Sequence, residues 1–416
     1  MDGGVRVKLV PQGYYARSWQ LSLMLTLANI HEELTGEGIR CGEGYVYLKG
    51  SEEDACLSLS TTLRTIVDDV NSLVETYNLS APRPGKNDRQ VLQKAGLDLR
   101  DEDTYLTVFT RLALMMAEEL DDPGKCKIHI SDLGEITLSR RGGKSEYILG
   151  RKGEYAPLQP LKIEKYEYSK DFMNLADIKG DLRASKIWLA MLTSGWMRTY
   201  IGMAGGYLSF SLPPDYMLEP LLCDPTRRRV LEGILGREPL GFKGYYKIPA
   251  RIRSASNPPE AYRILLAIET VEYTGPPTMA GIPPFRVVRV GFDGKTARLI
   301  EDSVIDVTQL LVPIARLKSI EVTSGARILR HVRRLAECAT KAYQRTYPRD
   351  CETFFGGPGD SISMVKILHQ AMTGSLRAER AVYMLSRLSP EPLRDQIPPF
   401  RRLDVVRALL DALRRA

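Results

Sequence analysis

Apolar and polar residues alternate with a period of two at the start of the chain, and the pattern then becomes helical. Val5–Val10 (VRVKLV) predicts a strand. The next run, Ala16–Leu34, is apolar nearly all round, which predicts a buried helix that ends near Gly36. Two later segments, Gly44–Gly50 and Ala55–Ser60, predict a hairpin across the sequence SEED.

A helix predicted over residues 61–77 completes the order strand, helix, strand, strand, helix. This order forms the larger part of a ferredoxin-like or RNA-recognition-like (RRM-like) α/β unit. Further along, the pattern predicts a helix over residues 103–120 and a three-stranded β-meander over residues 127–151, with a turn at residues 140–144. We assign all of these elements to an N-terminal α+β domain, residues 1–155.

The remaining chain divides into two further predicted domains. Residues 156–306 predict a mixed α+β domain, in which the strands Phe285–Phe292 and Lys295–Asp302 pair across an Asp-Gly turn, a strong hairpin signal. Residues 307–416 show only helix and turn patterns, which predict a basic C-terminal α-helical bundle. The predicted fold class of the whole chain is therefore α+β.

Composition excludes several classes of protein. The chain has 416 residues and contains no apolar run of the ~20 residues that a transmembrane helix needs. Its first residues, MDGGVRVKLVPQG, lack the pattern of a secretion signal. We therefore expect a cytoplasmic protein without a membrane partner. Asparagine is scarce and arginine abundant, a balance found in heat-adapted proteins.

Residues that carry catalysis or bind metals are sparse. The six cysteines lie far apart in sequence and lack the two-residue spacing of zinc or redox motifs, so we expect small core residues and no metal site. The four histidines share no motif, and neither HExxH nor GxSxG occurs. We expect no catalytic site and no cofactor; if a general base is present, His31 is the candidate.

Positive charge is concentrated at one end of the chain. The net charge is +7, but residues 313–416 contain 19 lysines and arginines against 10 acids, an excess of +9. The remaining residues then carry −2. A localised basic region indicates a polyanionic partner better than a high isoelectric point does.

The helical segment Thr323–Tyr347 places much of this charge on one side. At about 100° per residue, four of its cations lie within about 40° of one another and a fifth about 60° away: Arg327, Arg334, Lys341, Arg345 and, further round, Arg330. Apolar residues fill the opposite side: Ile328, Val332, Leu335, Ala339, Ala342 and Tyr343. This cationic line can follow a phosphate backbone. The alternatives are a solvated face and an acidic protein partner, although Glu337 is the only acid in the segment.

A second cluster interleaves cations with aromatic rings over residues 241–253. Its members are Lys243, Tyr245, Tyr246, Lys247, Arg251 and Arg253. Such a combination can bind single strands, because charges contact phosphates while rings stack on bases. If residues 247–253 form a strand, three of the cations share one face. The alternative is an edge strand whose charges prevent aggregation.

A third cluster flanks the two glycines of the turn at residues 140–144. Its cations are Arg140, Arg141 and Lys144. The glycines would let these side chains approach a nucleic-acid groove closely, where arginine would pair with guanine. A flexible hairpin tip is the alternative interpretation.

The layout of the chain resembles a known family. The opening VRVKLVPQGYYARSWQLSLMLTLA (residues 5–28), the Asp-Gly hairpin and the arginine-bearing tail from Gly325 onward are similar to the large subunit of archaeal type I-A CRISPR interference (Cascade) complexes. The resemblance covers the full length and rests on architecture, without a short diagnostic motif.

The resemblance implies a non-catalytic subunit that binds guide RNA and target DNA. Such a subunit helps to recognise the protospacer-adjacent motif, holds the displaced strand and helps to recruit the helicase–nuclease, beside the backbone and small subunits of the complex. Division of labour in these complexes would explain a missing active site. Two other hypotheses remain: a ferredoxin-like CRISPR repeat-RNA endonuclease with His31 as its base, and a scaffold that binds an acidic protein.

Overall fold

The computed structural model describes residues 4–12, 14–141, 144–161, 181–204, 206–228, 248–252, 257–274, 284–292, 297–325, 327–391 and 397–414. Within these ranges helices predominate and short strands form small sheets. The predicted α+β class is therefore confirmed. None of the helices in these ranges is long and apolar enough to cross a lipid bilayer.

The described residues form two compact units. Unit 1 contains those up to residue 228 together with residues 286–303, and unit 2 contains those between 248 and 285 and from 304 onward. The sequence predicts boundaries near residues 155 and 306. In the structure, a helix at residues 186–199 groups with the N-terminal helices, and a helix at residues 259–274 groups with the C-terminal ones.

Unit 1 combines long helices with three sheets. Its described helices are α1 (Tyr15–Thr35), α2 (Glu52–Tyr77), α3 (Lys86–Lys94), α4 (Tyr105–Asp121), α5 (Pro123–Leu133), α6 (Lys186–Thr199) and α7 (Asp215–Cys223). Its described strands are β1 (Gly4–Lys8), β2 (Ile39–Gly42), β3 (Tyr45–Lys49), β4 (Ile136–Arg141), β5 (Lys144–Leu149), β6 (Asp181–Ala184), β7 (Tyr200–Ala204), β8 (Tyr207–Leu212), β9 (Phe285–Phe292) and β10 (Ala297–Ile305), the last two contributing residues 286–303.

The three sheets of these strands have different topologies. The first is antiparallel, in the order β1-β3-β2. In the second, β4 and β5 form an antiparallel hairpin and β6 pairs with β5 in parallel. The third has the order β10-β9-β8-β7. The strands β9 and β10 agree with the hairpin predicted around the Asp-Gly turn, although the turn itself lies outside the described residues.

The core of unit 1 is helical, and α1 lies within it. As its apolar composition predicts, α1 is buried over most of its length, and it ends where Gly36 adopts a left-handed conformation with φ of 72°. The polar Gln20 is buried too, but its amide donates to Lys8 O at 2.7 Å and accepts from Val10 N at 2.7 Å. These bonds satisfy the backbone at the end of β1 and fix α1 against it.

Close packing of α1 on α6 depends on one glycine. Gly195 lies in the middle of α6, whose residues from Ile187 to Thr199 are all buried. A Cβ atom at this position would lie 2.2 Å from Trp19 O of α1. The absence of a side chain therefore lets the two backbones approach each other.

Two predicted strands are helical. The segment Ala55–Ser60 belongs to α2, because SEED forms a capping box: Asp54 N donates to Ser51 Oγ at 3.0 Å, and Ser51 N donates to Asp54 Oδ2 at 2.8 Å. The first strand of the predicted meander, Lys127–Ile130, belongs to α5, which Asp122 caps by accepting from Gly124 N at 2.9 Å.

Unit 2 consists mainly of helices. Its described helices are α8 (Pro259–Thr274), α9 (Thr308–Ser324), α10 (Ile328–Tyr343), α11 (Arg349–Phe355), α12 (Pro358–Met372), α13 (Ala378–Leu388) and α14 (Leu403–Arg414). They pack around α8, whose residues 264–271 are all buried and which contacts α9, α10 and α12.

All six cysteines form disulfides, which the sequence interpretation missed. The pairs are Cys41–Cys223, Cys56–Cys126 and Cys338–Cys351, with Cα–Cα distances of 5.5, 6.1 and 5.7 Å, all in the range of a native disulfide. Four of these cysteines are buried, as expected of core residues, but Cys223 is exposed. The first two pairs crosslink unit 1, and the third joins α10 to α11 in unit 2.

Candidate nucleic-acid interface

Helix α10 carries the first predicted cluster on its exposed side. It follows the left-handed Gly325, and Leu329 N at its first turn donates to Glu321 Oε2 of α9 at 2.7 Å. Four of the residues predicted to pack are buried: Ile328, Val332, Leu335 and Ala339. Tyr343, also predicted to pack, is instead 56 % exposed at the end of the helix.

Four of the five predicted cations have side chains that reach the surface. Arg327, Arg330 and Arg345 are exposed and Lys341 is half-buried. Among the residues that the structure describes, none of these four forms an ion pair. We call these four residues the basic face. Glu321 occupies an amide at the start of α10, so anion binding here depends on side chains rather than on the helix N-terminus.

One cation of the predicted line, Arg334, is paired with acids. Its guanidinium contacts Asp350 of α11 and also lies 3.4 Å from Glu337 Oε2. Arg345 also differs from the prediction, because α10 ends at Tyr343 and Arg345 lies in the following turn with φ of 60°. Its cationic side chain remains exposed beyond the end of the helix.

A half-buried histidine lies among the cations at the start of α10. Burial lowers the pKa of His331, and the positive charges of Arg402 in the turn before α14, Arg330 and Arg327 lower it further, whereas Asp404 raises it. Asp404 is itself paired with Arg402 at 2.7 Å. The start of α14 therefore adds Arg402 beside the basic face, a proximity that the sequence does not reveal.

The second predicted cluster is only partly described. Five of its members lie outside the described residues: Lys243, Tyr245, Tyr246, Lys247 and Arg253. Residues 248–250 are helical rather than extended, and Ile252 N donates to Pro249 O at 3.0 Å in the turn that follows. The described residues 248–252 therefore do not form the predicted strand, and Lys247 and Arg253 lie outside the described residues.

Arg251 is tied to the neighbourhood of α10 by a buried acid. Arg251 Nε lies 2.9 Å from Glu269 Oε2 of α8, and Arg333 of α10 contacts the other oxygen of the same carboxylate. Arg333 also lies 2.6 Å from Glu272. Glu269 thus holds Arg251, a member of the second cluster, close to α10. The same carboxylate neutralises the charge of Arg251.

The third predicted cluster lies on the β4–β5 hairpin. Arg141 pairs in register with Lys144, and the two glycines between them lie outside the described residues. The backbone of Arg140, Arg141 and Lys144 is described, but their side chains are not. The backbone confirms that these residues flank the tip of a hairpin. The hairpin belongs to unit 1, whereas the basic face belongs to unit 2.

His31 has no access to a substrate. It is fully buried, with Nε2 at 2.8 Å from Lys49 O and Nδ1 at 2.9 Å from Ser58 Oγ. Burial lowers its pKa. In the part of the chain that the structure describes, no group of three or more histidine, cysteine or acidic residues could hold a metal ion.

No protein-family model matches the chain, and no curated protein or solved structure is significantly similar to it. The function therefore has to be inferred from the residues and their geometry.

Proposed function

We propose that unit 2 binds nucleic acid through the basic face. The observation that carries the proposal is that four cations in α10 and at its two ends have no ion-pair partner among the described residues: Arg327, Arg330, Lys341 and Arg345. Neighbouring cations such as Arg333 and Arg334 are paired, so acids are available nearby but do not answer the basic face. Unpaired cations in a line bind a phosphate backbone and release its counterions.

The wider proposal is that the chain is the large subunit of an archaeal type I-A CRISPR interference complex. As such it would act without catalysis in the cytoplasm, bind guide RNA and target DNA, and assemble with the backbone and small subunits and the helicase–nuclease. Sheet β1-β3-β2 with α1 and α2 supports a ferredoxin-like N-terminal unit, and the packing of α9 to α14 supports a C-terminal bundle. Co-purification of the tagged chain with CRISPR RNA and effector subunits tests this assignment.

Under this proposal the other two clusters are auxiliary contacts. The second cluster would hold a single strand; of its members, Arg251 is anchored by Glu269. The third cluster, at the β4–β5 hairpin, would contact a groove. The endonuclease hypothesis loses support because its candidate base, His31, is buried with both ring nitrogens engaged.

Removing two charges from the basic face should weaken binding of every sequence to a similar extent. For the variant Arg327→Ala with Arg330→Ala, we expect the slope of log K against log salt to become shallower by about two units, roughly one for each lost phosphate contact. Fluorescence anisotropy with labelled DNA at several salt concentrations measures both the affinity and the slope.

Lys125→Ala with Lys127→Ala is the matched control, because it removes the same charge from exposed positions of α5 in unit 1. This control should retain wild-type affinity and slope. Arg334→Ala should have a smaller effect than either basic-face arginine, since Arg334 is already paired. Equal affinities and salt slopes of the basic-face variant and the lysine control would contradict the proposal. A protein partner that stays bound after nuclease treatment, in a chain without affinity for DNA or RNA, would favour an acidic protein partner instead.

Binding should strengthen as the pH falls below about 6.5, the ordinary pKa of histidine. Burial and the surrounding arginines keep His331 neutral in the free protein at pH 7. A phosphate on the basic face would favour the protonated ring, so binding raises the pKa and takes up a proton; a rise of one pKa unit corresponds to about tenfold in affinity at low pH. Anisotropy titrations between pH 5.5 and 7.5 measure this effect.

His331→Gln should flatten this pH dependence. His369→Gln is the matched control, because His369 is a second histidine of unit 2 whose pKa is lowered by burial, but it faces Arg263 and Glu260 rather than the basic face. An identical pH profile in the wild type and His331→Gln would show that His331 does not sense the bound phosphate.

A further inference from the structure

Helix α13 exposes a stripe of cations and one aromatic ring. Its apolar positions, Ala378, Ala381, Val382 and Leu385, are buried. The opposite side exposes Arg380, Tyr383 and Arg387, which are spaced by three and four residues and therefore lie one above another. The sequence interpretation missed this stripe, although its spacing in AERAVYMLSRL is visible.

The tyrosine of the stripe is open to solvent and supported by an arginine. Tyr383 is 60 % exposed. The guanidinium of Arg387 lies 5.8 Å from the centre of its ring, and Arg387 Nη1 donates to Tyr383 Oη at 3.4 Å. This contact orients the phenol and places a positive charge over its ring, whereas a buried structural tyrosine would be covered by apolar neighbours.

No acid among the described residues pairs with the cations of the stripe. Glu379, the only acid of α13, lies 2.8 Å from Arg414 of α14 and is engaged there. Neither Arg380 nor Arg387 forms an ion pair within the described ranges. The stripe therefore offers two unanswered charges beside one exposed ring.

The stripe leads towards the basic face within unit 2. Helices α13 and α14 are antiparallel, because Glu379 at the start of α13 pairs with Arg414 at the end of α14, and Arg401 before α14 donates to Ser389 O, just beyond α13, at 2.8 Å. Arg402 follows, and its charge acts on His331 beside the basic face. Arg387 thus lies at the end of α13 nearest to these arginines.

We propose that Arg380, Tyr383 and Arg387 form a stacking platform for an unpaired base, which makes single-stranded nucleic acid the preferred ligand of unit 2. This inference rests on the proposed nucleic-acid binding and specifies its ligand. An aromatic ring stacks on any base, while flanking arginines contact the neighbouring phosphates. Bases in a duplex are already stacked on one another, so only a single strand can offer a free base face to Tyr383.

The test compares two labelled oligonucleotides of equal length with the full-length protein: oligo-dT and an abasic deoxyribose-phosphate chain. The wild type should bind oligo-dT at least about fivefold more tightly, the contribution of one stacked base. Tyr383→Ala should lose this preference while it keeps its affinity for the abasic chain. Tyr383→Phe should retain the preference, because the ring remains.

Tyr216→Ala is the matched control, since Tyr216 is a similarly exposed tyrosine (66 %) on α7 of unit 1. It should bind both oligonucleotides as the wild type does.

Photocrosslinking of iodouracil-substituted oligo-dT should label Tyr383, identified by mass spectrometry. An unchanged preference in Tyr383→Ala would overturn the platform, whereas the basic-face proposal would survive if Arg327→Ala with Arg330→Ala weakened binding of both chains. Absence of oligo-dT binding by the wild type would overturn the platform, and the basic-face proposal would also be overturned if duplex DNA and RNA failed to bind.

Discussion

Loss of the Cys41–Cys223 disulfide should lower the unfolding temperature of unit 1 more than the loss of any other crosslink. This disulfide spans 182 residues, against 70 for Cys56–Cys126 and 13 for Cys338–Cys351. In the chain-entropy description a crosslink stabilises by restricting the unfolded chain, by about 5 kcal/mol for the longest of these loops and about 3 kcal/mol for the shortest. The expected decrease in melting temperature is about 10 °C.

Calorimetry of Cys41→Ser with Cys223→Ser measures the change, and Cys338→Ser with Cys351→Ser is the control in unit 2. Reductant should act first on Cys41–Cys223, because Cys223 is exposed while Cys338 and Cys351 are fully buried. Six free thiols in protein purified without reductant, or a melting temperature that reductant does not alter, would contradict the predicted crosslinks.

Gly195→Ala should destabilise unit 1 by about 3 kcal/mol, because the added methyl overlaps a backbone rather than a movable side chain. The new Cβ would lie 2.2 Å from Trp19 O and 2.6 Å from Trp19 C. Since α1 and α6 are both buried, the two helices can separate only by disturbing the packing on their other sides. Urea unfolding followed by tryptophan fluorescence reports the effect, since Trp19, Trp188 and Trp196 all lie in this core.

Gly359→Ala provides the comparison for this substitution. Gly359 lies in the first turn of α12 and has no atom within 4 Å of a Cβ at its position. Alanine there should be neutral or slightly stabilising, because it favours helix more than glycine does. Equal stability of Gly195→Ala and the wild type would show that the α1–α6 contact is looser than described.

Hydrophobic periodicity predicts the parts of this fold in which local pattern and burial agree. The buried helix α1 and the packing side of α10 follow from the spacing of their apolar residues. At Ala55–Ser60, alternation suggests a strand, but the capping box of Ser51 and Asp54 starts a helix. The decisive signal, serine followed three residues later by an acid, is present in the sequence, but the alternation after it favours a hairpin turn at the same residues.

Other features depend on residues that meet only in the folded chain. Six cysteines allow about 15 pairings, and spacing alone does not select one. The pairing of Arg334 with Asp350 joins two helices, and the position of Arg402 beside His331 depends on where α14 packs. The cationic side of α10 could therefore be located from the sequence, whereas the cations that remain open could not.

The length of α10 sets a scale for its ligand. Sixteen residues in a helix extend over about 24 Å, which matches roughly seven successive phosphates along one strand of a duplex. A polyanion that spans α10 from Arg330 to Lys341 therefore has to be an oligomer, and a mononucleotide or a single phosphate would engage only a fraction of its cations. The spacing of its cations therefore favours a polymeric ligand over a small molecule.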